Sequence, residues 1–206
     1  MIVWQWLLTG LAAVTVALIA ILLTRPRSFR GEGSGGKILA FMSFFALPVV
    51  ASGIGLSAHM EASKTTSFCL SCHVMEPWGR SLRADDPGRL AASHFQNGRV
   101  DRDHACFTCH TTYTLFGNAK AKLGGMRHVY VNYLGEIPKT IKTYRPYDNR
   151  ECLHCHGGAR SFEEDDTHKD IRDELATGKT SCLECHGPAH DTEHLEGVAL
   201  WEGESR

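Results

Sequence analysis

The sequence predicts a mainly α-helical protein: two N-terminal transmembrane helices, then a small, loop-rich domain. Three observations lead there. Residues Ile2 to Leu23 run 22 positions without a charge and Ile38 to Ala58 run 21 more, each matching the about 20 apolar residues that a helix needs to cross the hydrocarbon core. All eight cysteines lie beyond those runs, in four copies of one pattern. The 148 residues from His59 onward leave some 37 for each copy, too few to enclose a separate aliphatic core around every one.

Taken in order, the first apolar run reads as a retained helix. Met1-Ile2-Val3-Trp4 has no basic residue, and the run exceeds the about 7 to 15 residues of a signal-peptide core. The connector from Arg25 to Lys37 carries four basic residues against Glu32, which marks the cytoplasmic side and puts both chain ends outside. The expected organisation is a membrane anchor over 1–58, with helices at about 2–23 and 38–58 joined by a basic linker 24–37, and an exported domain over 59–206. In that domain, helices are expected over Arg89–Asn97, Leu115–Tyr133 and Thr167–Thr177, with a brief one near Thr192–Trp201. Gly157-Gly158 and Gly187-Pro188 terminate local structure.

The repeated pattern is Cys-x-x-Cys-His: Cys69, Cys72 and His73; Cys106, Cys109 and His110; Cys152, Cys155 and His156; Cys182, Cys185 and His186. Two thiols three residues apart can form thioethers to the two vinyl groups of a haem while the next histidine swings beneath the iron. Structural zinc and a disulfide framework also use paired cysteines. Neither requires a histidine directly after the second cysteine in every copy. The sequence therefore predicts four covalently bound haem c groups and electron transfer. Thioether attachment takes place outside the cytoplasmic membrane, so motif chemistry and linker charge agree on a bacterial inner-membrane protein with its haem domain in the periplasm. The formal charge of −1 becomes about −9 if eight haem propionates ionise, which excludes a nucleic-acid-binding character. Successive first cysteines stand 37, 46 and 30 residues apart, against a regular solenoid.

The first motif differs, continuing His73-Val74-Met75 where the others have Thr112, Gly158 and Pro188 at the second position. Methionine sulfur is a haem ligand that raises the potential. On spacing alone Met75 reads equally well as packing.

The stretch Cys69-Leu-Ser-Cys72-His73-Val74-Met75-Glu76-Pro77-Trp78 resembles the first haem site of the NapC/NirT family of membrane-anchored tetrahaem c-type cytochromes, the NrfH/CymA-like quinol dehydrogenases. Ser93-His94-Phe95-Gln96-Asn97, His168, and Cys185-His186-Gly187-Pro188-Ala189-His190 match as well. The resemblance covers about Ile38 to His190. It implies Met75 as proximal ligand of a first haem at the membrane surface, with His73 displaced, and His110, His156 and His186 as proximal ligands of the other three. It also selects His94, His168 and His190 as distal ligands from the eight histidines outside the motif ends. His104 and His154 then read as bystanders, His194 as a substitute for His190, and His59 as a contact for quinol or lipid headgroups.

The chain departs from the family twice. Relatives usually have one anchor helix, so Ile2 to Leu23 is an addition expected to pack against another membrane subunit. Where relatives often carry an acidic residue at the open face of the first haem, the match within Gly125 to Tyr130 is His128, read as a ligand of the first haem or as the acceptor of a quinol proton. The resemblance also places a quinol-site lysine after the second motif, here Lys120 or Lys122. On the expected helix, Leu115, Ala119, Leu123, Met126 and Tyr130 form one stripe, and Lys120 and Arg127 share another face near His128. The implied function is oxidation of quinol, such as menaquinol, from the quinone pool, with electrons relayed to a periplasmic reductase or multihaem cytochrome. The alternatives are a wiring subunit without its own quinone site and a quinone reductase working in the opposite direction.

Overall fold

The computed structural model describes residues 2–24, 34–138, 141, 143 and 146–203. Most of the basic linker, residues 25–33, lies outside them. The chain divides into two units, Met1–Ser63 and Lys64–Arg206.

The first unit is a helical hairpin. Helix α1 spans Ile2–Thr24 and α2 spans Ser34–Ala62, four residues beyond the expected end at Ala58. Both are long and apolar enough to cross a membrane. On α1 the half-buried positions Leu8, Leu11, Thr15, Leu18 and Leu22 recur every three or four residues, the spacing that keeps a seam facing a neighbouring helix. The less exposed face of α2 offers small residues, among them Gly36, Ala40, Ser43 and Ala58, which lets the two backbones approach. Within α2, Met42–Ala46 forms a π turn just ahead of Pro48. Pro48 lacks the N–H that would bond the carbonyl four residues back, and the helix widens there. Ser43, fully buried, donates its hydroxyl to the Leu39 carbonyl at 2.8 Å.

The second unit is built of short helices and loops, and among the described residues it contains no β-strand. Its helices are α3 (Thr66–Cys69), α4 (Glu76–Arg83), α5 (Leu90–Gln96), α6 (Ala105–His110), α7 (Gly117–Leu134), α8 (Asn149–His156), α9 (Arg160–Glu163), α10 (Asp166–Asp170), α11 (Arg172–Thr177) and α12 (Cys182–His186). Two expectations are corrected. The helix over Thr167–Thr177 is two helices, because the backbone leaves helical geometry at Ile171, with φ −111° and ψ 15°. The segment Thr192–Trp201 is not helical. Gly197 takes φ 74°, in the left-handed region that suits glycine, and the chain beyond it pairs with the end of α4. Leu200 bridges Ala84 antiparallel, the Asp85 N–H donates to the Ala199 carbonyl at 2.8 Å, and the Trp201 N–H donates to the Arg83 carbonyl at 2.6 Å. The Arg102 guanidinium lies 4.7 Å from the Trp201 ring centre and closes this corner.

Among the described residues the buried apolar side chains are Leu82, Ala84, Ala92, Ala105, Leu175 and Leu195. So small a core agrees with a domain whose cofactors supply buried surface. Polar side chains stitch the helices together. Thr66 donates its hydroxyl to the Arg102 carbonyl at 2.7 Å and accepts from the Ala105 N–H at 2.9 Å, joining α3 to α6. Buried Asn149 donates to the Leu175 and Thr180 carbonyls and accepts from the Cys182 N–H, joining α8 to α12. Asn149→Ala strands three backbone groups, so unfolding free energy is expected to fall by roughly 3 kcal/mol. A lower midpoint of thermal unfolding at unchanged haem content is the expected reading.

Candidate haem-binding site

Three motifs sit on helices, and the reason is local. Asp148 caps α8 by accepting from the Arg150 N–H at 3.0 Å. Ser181 caps α12, with Glu184 returning the bond to the Ser181 N–H. In a helix, residues i, i+3 and i+4 share a face. Both thiols and the histidine of Cys106–His110, Cys152–His156 and Cys182–His186 therefore present to one edge. The first motif departs from this geometry. Helix α3 ends at Cys69, Cys72 is extended at φ −90° and ψ 126°, and a 3₁₀ turn carries His73–Met75. His73 is thus out of helical register with its cysteines, and it is exposed while Met75 is half-buried.

All eight cysteines are free of disulfides, and the motifs approach one another in chain order. The thiols of Cys69 and Cys106 are hydrogen-bonded. The Cys155 thiol bears on Cys109, whose own pKa is pushed up chiefly by burial. Burial and the neighbouring Cys182 raise Cys152 to about 11. Among the described residues no three His, Cys, Asp or Glu side chains gather into a set that could hold a metal ion, so the paired-cysteine zinc reading has no tetrahedral site.

The histidines oppose each other in pairs instead. Ring centroids are 5.9 Å apart for His94 and His156, 6.3 Å for His110 and His190, and 6.1 Å for His168 and His186. An imidazole nitrogen bonds a transition metal at about 2 Å and lies about 1 Å from its ring centre, so two trans imidazoles sharing one metal have centroids roughly 6 Å apart. Each pair joins a motif histidine to one outside the motifs, and such a pair would supply both imidazoles to a haem iron bound between them. The donor set fits the cofactor.

Tautomers agree with that fit. A carbonyl only accepts, so the 2.8 Å contact between His94 Nδ1 and the Leu90 carbonyl puts the proton on Nδ1 and leaves Nε2 with its lone pair. Ser81 donates its hydroxyl to the Trp78 carbonyl at 2.7 Å, so it accepts from His190 Nδ1–H at 2.7 Å. Burial, with His110 beside it, pushes His190 down to about 4, and burial likewise lowers His110. Both rings are neutral at pH 7, the form that binds metal. The Ser81 contact spans 109 positions and has no signal in the sequence. Ser81→Ala is expected to raise the potential of the haem facing His190, because the Nδ1–H bond makes the imidazole a stronger donor. Spectroelectrochemical titration reads that rise; an unchanged set of potentials counts against the contact.

The remaining histidines are held elsewhere. His104 and His194 meet the carboxylates of Asp101 and Asp191 at 2.7 and 2.8 Å, and His154 stacks on Tyr113 with centroids 3.6 Å apart. His59 is exposed near the end of α2.

The lysine-bearing segment forms α7, which begins at Gly117 rather than Leu115. Lys122 is half-buried, with Nζ 4.7 Å from the Phe107 ring centre and 6.0 Å from that of Phe68. The Cys106 hydrogen bond and, less strongly, the Lys122 charge hold the Cys69 thiol down to about 7 against its burial. Lys64, which sequence reasoning did not single out, lies 5.5 Å from the same Phe107 ring. Lys122 thus stands between the first two motifs, against Phe107 of the second and within electrostatic reach of Cys69 of the first. Lys120 is exposed, and its charge reaches Asp148 near the third. His128 keeps part of its surface in solvent; the partial desolvation of its ring and the adjacent Arg127 lower its pKa, and it bears electrostatically on His110 of the second motif.

A family model described as the NapC/NirT cytochrome c family, N-terminal region, matches residues 34–195. The chain is 25% identical over 174 residues to the cytochrome c-type protein NapC of Haemophilus influenzae, covering 74% of this chain and 80% of that protein. A chain in the crystal structure of the cytochrome c nitrite reductase NrfHA complex bound to the HQNO inhibitor matches at 25% identity, over 71% of this chain and 86% of that one, with a TM-score of 0.42. Helix α1 lies outside the region that the family model matches.

Proposed function

The chain belongs to the NapC/NirT cytochrome c family, membrane-associated electron-transfer proteins carrying covalent haem c, and from that premise we propose that it is a quinol dehydrogenase with four haems. It takes electrons from quinol in the bacterial inner membrane at its first motif. It delivers them on the periplasmic side to a reductase or multihaem cytochrome, and the exposed outer face of α1, with Trp6, Val14 and Ile21, meets a further membrane subunit.

The observation that carries this reading is the inequality among motifs. Three motif histidines each face a second imidazole at haem-ligand distance, which suits a relay with saturated irons. The first motif breaks helical register, keeps Met75 half-buried, and feels the charge of Lys122 at Cys69. A bound haem c supplies a one-electron carrier at each motif. The protein's part is to hold the ligands in their neutral tautomers and to provide a cation for a quinol oxygen. Quinol oxidation releases two electrons and two protons. The Lys122 ammonium donates a hydrogen bond to one oxygen and favours its anionic form, while neutral His128, one to two turns along α7 and partly open to solvent, takes the two protons in turn and passes each to water. Lys122 rather than Lys120 is assigned the quinol contact.

Anaerobic addition of menaquinol to the purified full chain in nanodiscs tests the reading. Rapid growth of the reduced haem α-band is expected. A protein that dithionite reduces fully but menaquinol does not reduce is no quinol dehydrogenase. Copurification with a second membrane subunit, on top of that failure, identifies a wiring subunit instead.

A further inference from the structure

His94, His168 and His190 each face a motif imidazole, but they differ in what meets the other ring nitrogen. A ring that gives its Nε2 lone pair to a metal keeps its proton on Nδ1. The group that accepts this proton sets how strongly the ring donates. For His94 it is the Leu90 carbonyl, 2.8 Å from Nδ1, and for His190 the Ser81 hydroxyl, at 2.7 Å. Both acceptors are neutral. His168 is different, because its Nδ1 is buried and, among the described residues, is the buried side-chain polar atom without a hydrogen-bond partner. A carboxylate oxygen, Asp165 Oδ1, lies 3.9 Å from it.

A buried N–H with no acceptor is unfavourable, and Asp165 is placed to supply one. It caps α10, with Oδ1 accepting from the His168 N–H at 3.2 Å. That backbone bond, more than any other influence, holds the carboxyl below the usual carboxylate range, so the group is an anion at neutral pH. The side chain is exposed enough to move, and a charge-assisted bond to Nδ1 needs a shift of only roughly 1 Å. Phe162 covers another side of the ring, with centroids 4.8 Å apart, and brings no oxygen. We propose that Asp165 accepts the Nδ1 proton of His168 and thereby gives a haem held between His168 and His186 the lowest potential of the three bis-imidazole positions. A carboxylate draws the proton harder than a carbonyl or a hydroxyl does, which pushes electron density to Nε2 and favours the oxidised iron. The fourth motif is then the last of the three to be reduced. This inference rests on a haem being attached at each of these motifs, and it holds whichever donor supplies the electrons.

Spectroelectrochemical titration of the full holoprotein in nanodiscs is the test. Asparagine caps a helix as well as aspartate does, so Asp165→Asn removes the charge and keeps α10. The low-spin haem of lowest potential is expected to move up in that variant. At the potential that half-reduces it in the native protein, its reduced-to-oxidised ratio should rise about tenfold, with the low-spin spectrum intact. Asp166→Asn removes a neighbouring carboxylate that pairs with Lys169 at 2.8 Å, and it should leave that ratio unchanged. Asp165→Asn added to a Cys182→Ser, Cys185→Ser protein should move no potential, and the intact mass of that protein should be lower by one haem. An unchanged titration in Asp165→Asn overturns the proposal, as does an equal rise in Asp166→Asn or a rise that survives loss of the fourth attachment site. A high-spin signal in Asp165→Asn also overturns it, because Asp165 then only holds His168 in place. So does an intact mass that the two serines leave without haem loss, since nothing is then bound for Asp165 to tune. No readout involves quinol, so failure of the quinol reading and failure of this one are seen separately.

Discussion

Replacing His190 by alanine is expected to convert one haem from low spin to high spin, and the geometry points to a haem attached through Cys106 and Cys109. Sequence proximity argues otherwise, since His190 follows the fourth motif by four residues and the second by 80. The geometry favours the distant partner. His190 faces His110 at 6.3 Å, whereas His186 faces His168 at 6.1 Å. Without that imidazole, a haem held by His110 would lack one of its two nitrogen donors, and its iron would be high spin. Low-temperature electron paramagnetic resonance should show a new signal near the high-spin ferric position, reversed by added imidazole. The assignment to a motif is checked by placing His190→Ala in a protein whose Cys106 and Cys109 are both serine. If His190 serves a haem at the second motif, the protein lacking that attachment site gains no high-spin signal from the added substitution. A new high-spin haem in that background transfers His190 to another iron.

The Lys122→Ala variant is expected to lose menaquinol-driven reduction by about 100-fold, within the span for removing a positioned acid/base group, while dithionite still reduces every haem. The choice of Lys122 over Lys120 rests on placement. Lys122 bears on Cys69 and lies against the rings of Phe68, next to the first motif, and Phe107, inside the second; the charge of Lys120 reaches Asp148 by the third. Stopped-flow reduction of the two variants side by side is the measurement. A larger loss in Lys120→Ala than in Lys122→Ala reverses the assignment. Equal, small losses remove lysine from the quinol site altogether. Lys122→Arg keeps the charge but not the compact three-donor head, and a partial loss there separates charge from geometry.

These two expectations differ in how far the sequence could carry them. Haem attachment was legible because thioether chemistry demands a fixed local spacing, and i, i+3, i+4 on a helix satisfies it within five residues. The membrane helices were legible for a related reason, since bilayer thickness translates into residue count. Helix breaks were less so. Thr167–Thr177 read as one helix because its composition suits one, yet Ile171 turns the chain, with Asp165 capping the piece before it by accepting from the His168 N–H. The last segment read as helical because the pairing of Ala199 and Trp201 with the end of α4, over more than 100 positions, leaves no trace in local propensity. Gly197 was the local sign, and a glycine's meaning depends on the φ it is asked to adopt.

By itself, the sequence determined that this is a mainly helical, membrane-anchored cytochrome c, that its cysteines are used as motif pairs, and that its first motif is unlike the others. Those facts follow from chemistry confined to a few neighbouring residues or to one uninterrupted apolar run. Tertiary structure alone decided which histidine faces which, that Ser81 bonds Nδ1 of His190 and leaves its Nε2 lone pair free, that Lys122 rather than Lys120 lies between the first two motifs, and that α7 leaves its large apolar side chains exposed. Each of these is a relation between segments far apart in the chain. Such relations are set by packing around a core too small to be read from periodicity, and they exist only once the chain has closed on itself.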